Sequence, residues 1–334
     1  MNATAAMRSP TAPVAPWRLV RRSLGNGTLI IIVVYLALLA AYAVAQPDAL
    51  SLSQITDQFN NALPLALAAA GGSLVVLTRG FDLSVAGVVS IANVVMATEV
   101  GDGVSGALAG LVMVLAIGLA VGAVNGFLTA YAGLQSIAST LGTMIICSGV
   151  ALMILDAPGG TVPDFVSDRL MDVVWGIVPV TGLLAAATIG IWLIIRRTDF
   201  GVALYAVGAD ETAAALGGVN VKRTKFLAYC AAGMFYGLAG YMLSAQTATG
   251  NPSAGTPLLL QVFAAIAIGG MSFRGGRGGI VGTMVGAATL MLMQKVLFSA
   301  GVSSFYTGMF QGVIMIVAVL VAALSARFAQ AGRA

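Results

Sequence analysis

The chain has 334 residues, of which 59% are hydrophobic, 8% are charged and none is His, so it is not composed like the pair of soluble domains its length would otherwise suggest. Without His, and with only Cys147 and Cys230, each inside an apolar stretch, zinc and haem sites lack their usual ligands, a Ser-His-Asp or Cys-His catalytic centre is excluded, and no metal or cofactor is expected. The net charge of +4 does not point to nucleic acid, because Lys and Arg fall in short loops between apolar spans, which is the orientation signal of a multi-pass membrane protein.

Residues 1–16, rich in Ala, Pro, Thr and Ser, are expected to form a disordered tail. Arg18, Arg21 and Arg22 then precede the charge-free run 28–45, which closes on Ala43, Val44 and Ala45. That arrangement resembles a signal peptide, but the run is long for one and further spans follow, so an uncleaved first helix is expected. A straight crossing of hydrocarbon needs ~20 residues. The apolar pattern predicts ten crossings, at about 28–46, 61–78, 83–98, 104–124, 134–155, 173–195, 226–247, 258–271, 280–298 and 305–324. The expected fold is thus an all-α integral membrane protein. A cytoplasmic tail (1–26) precedes a polytopic membrane domain (27–325) with a long inner loop at 196–225, and a second cytoplasmic tail (326–334) follows.

With the N-terminus inside, 14 of the 16 basic residues fall on the inner side, and only Arg169 and Lys295 fall outside. Cytoplasmic N- and C-termini follow from that bias. Two predicted spans, 83–98 and 258–271, are too short for a straight crossing. Each has a glycine pair nearby (Gly71 with Gly72, Gly269 with Gly270) and an arginine, Arg79 or Arg274. Short, Gly-interrupted segments in matching halves of a transporter point to its substrate path, by analogy with secondary transporters; a tilted helix or a thinned bilayer is the alternative. Glycines four residues apart at 106/110, 118/122/126, 233/237 and 278/282/286 predict close helix packing in lipid.

The segment 196–225 is too polar to cross. Asp199 is expected to cap a short helix that Gly208 breaks, and Asp210 to cap a second, Glu211–Leu216, that Gly217 and Gly218 end. Thirty ordered residues where a short connector would do favour a docking surface for a cytoplasmic partner. Asp82, three residues after Arg79, is expected either to hold the break between the second and third spans beside a solute path or to cap the third span by accepting from Ser84 or Val85. Ser84, Ser90, Asn93, Asn125, Thr140, Thr143, Gln246 and Gln261 are the neutral polar residues of the spans. They suit a hydroxylated solute, or else hydrogen bonding between helices. The turn 272–279, SFRGGRGG, lacks the pattern of a nucleotide-binding loop, and none occurs elsewhere in the chain.

These residues resemble the permease subunits of bacterial ATP-binding-cassette importers for ribose and other monosaccharides, over about residues 60–324. TRGFDLSV at 78–85 is similar to the family's Gly-Ile-Asp-Leu-Ser segment. Asn125 with Gly126 and TLGTM at 140–144 resemble the next block. Phe200, Gly201, Tyr205 to Gly208, Ala213, Ala214, Gly218 and Val219 resemble the loop that contacts the ATPase, and Ile268 to Gly270, Ser272, Gly275, Gly276, Gly278, Gly282 and Thr283 resemble the late Gly-rich block. The chain departs from the pattern at Val202, Ser136, Ile137, Ser148, Leu259 and Gln261, which leaves the solute open.

The resemblance implies an inner-membrane permease with no ATPase activity of its own. Its partners would be a cytoplasmic ABC ATPase, a periplasmic sugar-binding protein and a second permease copy or homologue, in a bed of membrane lipid. With the polar residues of the spans, the expected path is bordered by Asp82, Ser84, Asn93, Asn125, Thr140, Thr143, Gln246 and Gln261. With the capping pattern of the inner loop, the expected coupling surface is Asp199, Phe200, Gly201, Tyr205, Gly208, Asp210, Glu211 and Gly217. The alternative from another class is a secondary transporter driven by an ion gradient, for which Asp82 would be the ionisable group.

Overall fold

The computed structural model describes residues 26–301 and four positions beyond them, Tyr306, Met309, Gly312 and Val313. Apart from Asn26, the 1–26 tail lies outside the described residues, as do the 326–334 tail and all but those four positions of the expected tenth crossing.

The described elements are α1 (Asn26–Ala45), α2 (Leu52–Leu77), α3 (Val85–Thr98), α4 (Gly103–Ala130), α5 (Ser136–Ile154), α6 (Asp164–Met171), the strands β1 (Val173–Val174) and β2 (Val178–Pro179), α7 (Val180–Ile195), α8 (Asp199–Ala209), α9 (Glu211–Leu216), α10 (Val221–Thr247), α11 (Thr256–Ile268) and α12 (Ile280–Ser299). Six of them, α1, α2, α4, α5, α10 and α12, are long and apolar enough to cross a membrane, and α7 with α8 makes a seventh candidate, bent by 78° at its break. The two short spans are helices of only 14 residues (α3) and 13 residues (α11), about 20 Å each at 1.5 Å per residue.

Helix α2 is the axis of the bundle. Every residue from Ala62 to Leu77 is buried, as expected of a helix apolar around its whole circumference. It packs against α7, α10, α11 and α12. At the periphery α1, α4 and α5 expose Ile30, Val112, Ile146 and Met153, side chains that lipid can cover. Most of the glycine spacing acts as expected: 118, 122 and 126 of α4 lie against α10, and 282 and 286 of α12 against α11, whereas Gly106 meets Gly101 of the preceding loop and Gly278 lies in the turn before α12.

Three local expectations are corrected. The sixth crossing does not begin at 173. Val173 and Val174 pair with Pro179 and Val178 in a two-stranded hairpin. Its turn places Trp175 (φ 53°) and Gly176 (φ 68°) in the left-handed region, the requirement of the tight turns that join twisted strands. An unbroken apolar run hid that turn. Thr198, not Asp199, caps α8, its hydroxyl accepting from the Gly201 amide at 3.4 Å. Gly208 does not break α8, which runs on to Ala209; its role is a close approach described below. The second cap is as expected, with Asp210 accepting from the Ala213 amide at 2.8 Å and Gly218 leaving α9 at φ 85°.

The loops gather at two ends. At one, Arg79 meets Gly208, Gly276 meets Leu77 and Tyr205 meets Gly278. At the other, Asn60 meets Met171, Gly159 meets Gly250 and Lys295 meets Gln54. The first set comprises segments assigned to the inner side from charge, the second those assigned to the outer side.

Candidate functional site

Each short helix follows an interruption of the helical chain, residues 78–84 before α3 and 248–255 before α11, and the backbone of such a stretch must find partners inside protein. At the first interruption α2 ends at Leu77. Arg79 donates its amide to Val76 O, and Gly80 to Val75 O, each at 3.0 Å, with Arg79 at φ 65°. This is the paired-bond helix terminus in which glycine usually takes the left-handed position. The chain then runs extended to Ser84. Phe81 N donates to Ser136 Oγ (3.2 Å) and Leu83 N to Thr140 Oγ1 (3.1 Å), both on α5. Tyr229 of α10 donates to Phe81 O at 3.4 Å.

Asp82 is 2% exposed. Its Oδ1 accepts from the Ser84 amide (3.0 Å) and hydroxyl (2.6 Å), so the cap-type bond expected of it is present. The chain of bonds continues from Asn125 Nδ2 to Ser84 Oγ (2.9 Å) and from Thr143 Oγ1 to Asn125 Oδ1 (2.8 Å). Oδ2 of Asp82 and the hydroxyl of Tyr236 are buried, with no hydrogen-bond partner for either among the described residues. Arg79 does not pair with Asp82; its guanidinium reaches α8 instead.

The second interruption follows α10, where Ala248 turns at φ 54°. Residues 249–255 then run alongside α3. Asn93 Nδ2 donates to Thr249 O (3.2 Å) and to Ser244 Oγ (2.9 Å), and its Oδ1 accepts from Asn251 N (2.6 Å). Ser90 Oγ accepts from Gly255 N at 3.0 Å. Gly255 lies so close to Ala86 that a side chain would strike its carbonyl. The segment thus descends most of the length of α3 before α11 starts, and Ser253 and Thr256 are exposed there.

The structure therefore joins five of the eight expected path residues, Asp82, Ser84, Asn125, Thr140 and Thr143, around the first interruption, and Asn93 serves the second. Gln246 stands apart, donating to Asn61 at 2.6 Å near the surface, and Gln261 is half-buried on α11. Tyr229, Asn251, Ser253 and Thr256 complete the two interruptions without having been singled out, and so does Ser136, noted only as a departure from the family pattern. The Asn251 and Pro252 pair was a turn signal that marked the second.

Seven of the eight expected coupling residues lie on α8, α9 or the cap between them, and Gly217 ends α9. Phe200 packs on the core and Gly201 abuts Ile195 at the α7–α8 bend. Tyr205 donates to Gly278 O at 2.8 Å. A side chain on Gly208 would meet Leu77 O and the backbone of Gly276. Glu211 forms an ion pair with Lys225 at 2.6 Å. Asp199 is exposed. Val202 on α8 (60% exposed) and Leu216 on α9 (87%) present apolar side chains at this end.

The chain matches the family described as branched-chain amino acid transport system / permease component over residues 54–319. It is 31% identical to the ribose import permease protein RbsC of Escherichia coli (strain K12) over 297 residues, 87% of this chain and 92% of that one. It is 29% identical to the galactose/methyl galactoside import permease protein MglC of Haemophilus influenzae over 320 residues, 90% and 94% of the two chains. Identity to the D-allose transport system permease protein AlsC of Escherichia coli (strain K12) is 31% over 272 residues, 81% and 83%. No solved structure matches the chain.

Proposed function

Since the chain belongs to the family of branched-chain amino acid transport system permease components, we propose that it is the membrane-spanning permease subunit of an ATP-binding-cassette importer for a monosaccharide or a similar small polar solute. The sugar class rests on the relatives, whose names specify ribose, galactose and allose. ATP is hydrolysed by a separate cytoplasmic subunit, which grips α8 and α9 through Asp199, Asp210, Glu211 and the exposed Leu216. A periplasmic sugar-binding protein delivers solute at the opposite end, where the 99–102 and 155–172 loops lie. The chain crosses a bacterial inner membrane ten times with both termini in the cytoplasm, and works beside a second permease copy or homologue.

The single observation that carries the path is the non-helical segment 249–255, which lies along the buried helix α3 and exposes Thr249 and Ser253. Irregular backbone at membrane depth is tolerated only against protein or a water-filled cavity. Ser253 on that segment, Thr256 at the start of α11 and Gln261 farther along it face the solute across the interface with the partner permease. Asp82, Ser84, Asn93, Asn125, Thr140 and Thr143 stand behind them and hold the two interruptions in shape, while Gln246 stands at the outer mouth.

The test is uptake into proteoliposomes carrying the permease, its ATPase and its binding protein. Sugar accumulation that requires internal-face ATP and all three components is expected. Uptake that persists without the ATPase and collapses with an uncoupler would instead establish ion-coupled transport.

A further inference from the structure

We propose that Arg79 is a positioning residue that carries movement of α8 and α9 into both short helices, α3 and α11; this rests on the reading that the ATPase grips α8 and α9. Three segments converge on it. Its Nε donates to Gly208 O at 2.8 Å, and a terminal guanidinium nitrogen donates to Ala209 O. These are among the last carbonyls of α8, which have no partner within the helix, and a cation is the favourable group there. Its backbone closes the terminus of α2 and opens onto Phe81 and Asp82. Its aliphatic stem passes over Gly275 of the α11–α12 turn, where an added side-chain carbon would come 2.5 Å from its Cγ.

The same turn is tied to both neighbours. Gly276 N donates to Leu77 O at 3.0 Å and Tyr205 donates to Gly278 O at 2.8 Å. One residue from the turn's start, Phe273 stacks on Phe81 with ring centroids 5.8 Å apart and planes 7° apart, and Phe263 of α11 lies 5.9 Å from Phe81. The first interruption, the foot of α11 and the end of α8 therefore form one mechanical joint. Tyr205 ties α8 to the turn, and Arg79 ties the last carbonyls of α8 to the end of α2.

The backbone of Arg79 argues that the guanidinium is the reason for the residue. Its left-handed conformation, φ 65°, is one that glycine adopts without strain. Arginine is there at a conformational disadvantage, and its side chain is exposed, where such bonds add little to stability. The side chain's contribution is accordingly positional. A guanidinium offers several donors in a fixed plane and reaches two carbonyls at once; an ammonium is a compact point charge.

The experiment compares Arg79→Gly, Arg79→Gln and Arg79→Lys in the complete transporter in proteoliposomes. Arg79→Gly removes the guanidinium while relieving the backbone, so the purified permease should melt no lower than wild type. Its ATP-driven uptake should still fall about tenfold or more, the range of an ordinary coupling energy. Arg79→Gln should lose uptake equally and Arg79→Lys should recover part of it. In all three the ATPase should co-purify at wild-type levels and hydrolyse ATP, but hydrolysis should no longer rise with loaded binding protein in the Gly and Gln variants. Normal uptake by Arg79→Gly, or loss of the ATPase from it, overturns the proposal. Undiminished ATPase binding by a permease carrying Leu216→Asp would instead sink the docking reading, whatever Arg79 does.

Discussion

Gly118 of α4 and Gly233 of α10 lie backbone against backbone, so that a side-chain carbon on either would collide with the other's carbonyl. Gly237 and Gly122 extend the contact one turn each way, onto Val114 O and Tyr229 O. In lipid, where apolar burial between helices gains nothing over burial in acyl chains, such close approach is what fastens one helix to another. Gly118→Val should cost about 1–3 kcal/mol as overpacking, seen as a lower melting temperature of the detergent-solubilised permease. Gly142 of α5, which has nothing within 4 Å of its missing side chain, is the control, and Gly142→Ala should leave melting unchanged.

Asn125 bridges α3 and α5 by donating to Ser84 and accepting from Thr143. Asn125→Leu fills the volume but removes one of the two bonds made by the buried Ser84 hydroxyl and one of the two made by the half-buried Thr143 hydroxyl, at about 1–3 kcal/mol. Because Asn125 is 0% exposed, the loss should appear in melting temperature and yield, with the sugar concentration for half-maximal uptake unchanged. A large shift in that concentration at normal stability would place Asn125 on the solute instead.

Asn93 holds the descending segment at Thr249 and Asn251. Asn93→Ala frees both groups, and the segment should loosen while the flanking helices stay inserted. A cysteine introduced at Ser253 should then react faster with a membrane-impermeant thiol reagent in the Asn93→Ala background, and uptake should fall several-fold. Cys147 and Cys230 are buried and should contribute little background.

Much of this arrangement was legible in the residues. Nine predicted crossings each contain a helix, and the two marked as too short are the short helices α3 and α11, each preceded by an interruption. Glycine spacing found the α4–α10 seam because only glycine tolerates that approach. Less legible were the features set by distant partners. Thr140 reads as a candidate for the solute in sequence, yet in space it accepts from the Leu83 amide, a demand that exists only once α5 lies beside the first interruption. Gly208 reads as a helix breaker, yet it is a point of contact with Leu77 and Gly276. The 173–179 hairpin was masked by the absence of charge, since apolarity alone does not distinguish a turn from a span.

Glu211 and Lys225 form an ion pair at 2.6 Å with side chains 40% and 24% exposed, linking six-residue α9 to the start of α10. At that exposure the pair contributes at most about 1 kcal/mol, so Glu211→Lys should leave the permease folded. It should nevertheless weaken capture of the ATPase, because α9 is otherwise tied mainly by the Asp210 cap and two facing lysines would push it from its place. If the pair's task is to hold α9, the swap of Glu211→Lys with Lys225→Glu should restore co-purification of the ATPase to near the wild-type amount. Leu216→Asp, which leaves the pair intact but spoils the most exposed apolar side chain of α9, should abolish it in either background. Failure of the swap with capture lost would mean that Glu211 touches the ATPase directly, and the capture should then weaken steeply as salt is raised toward 1 M, where screening acts within about 3 Å.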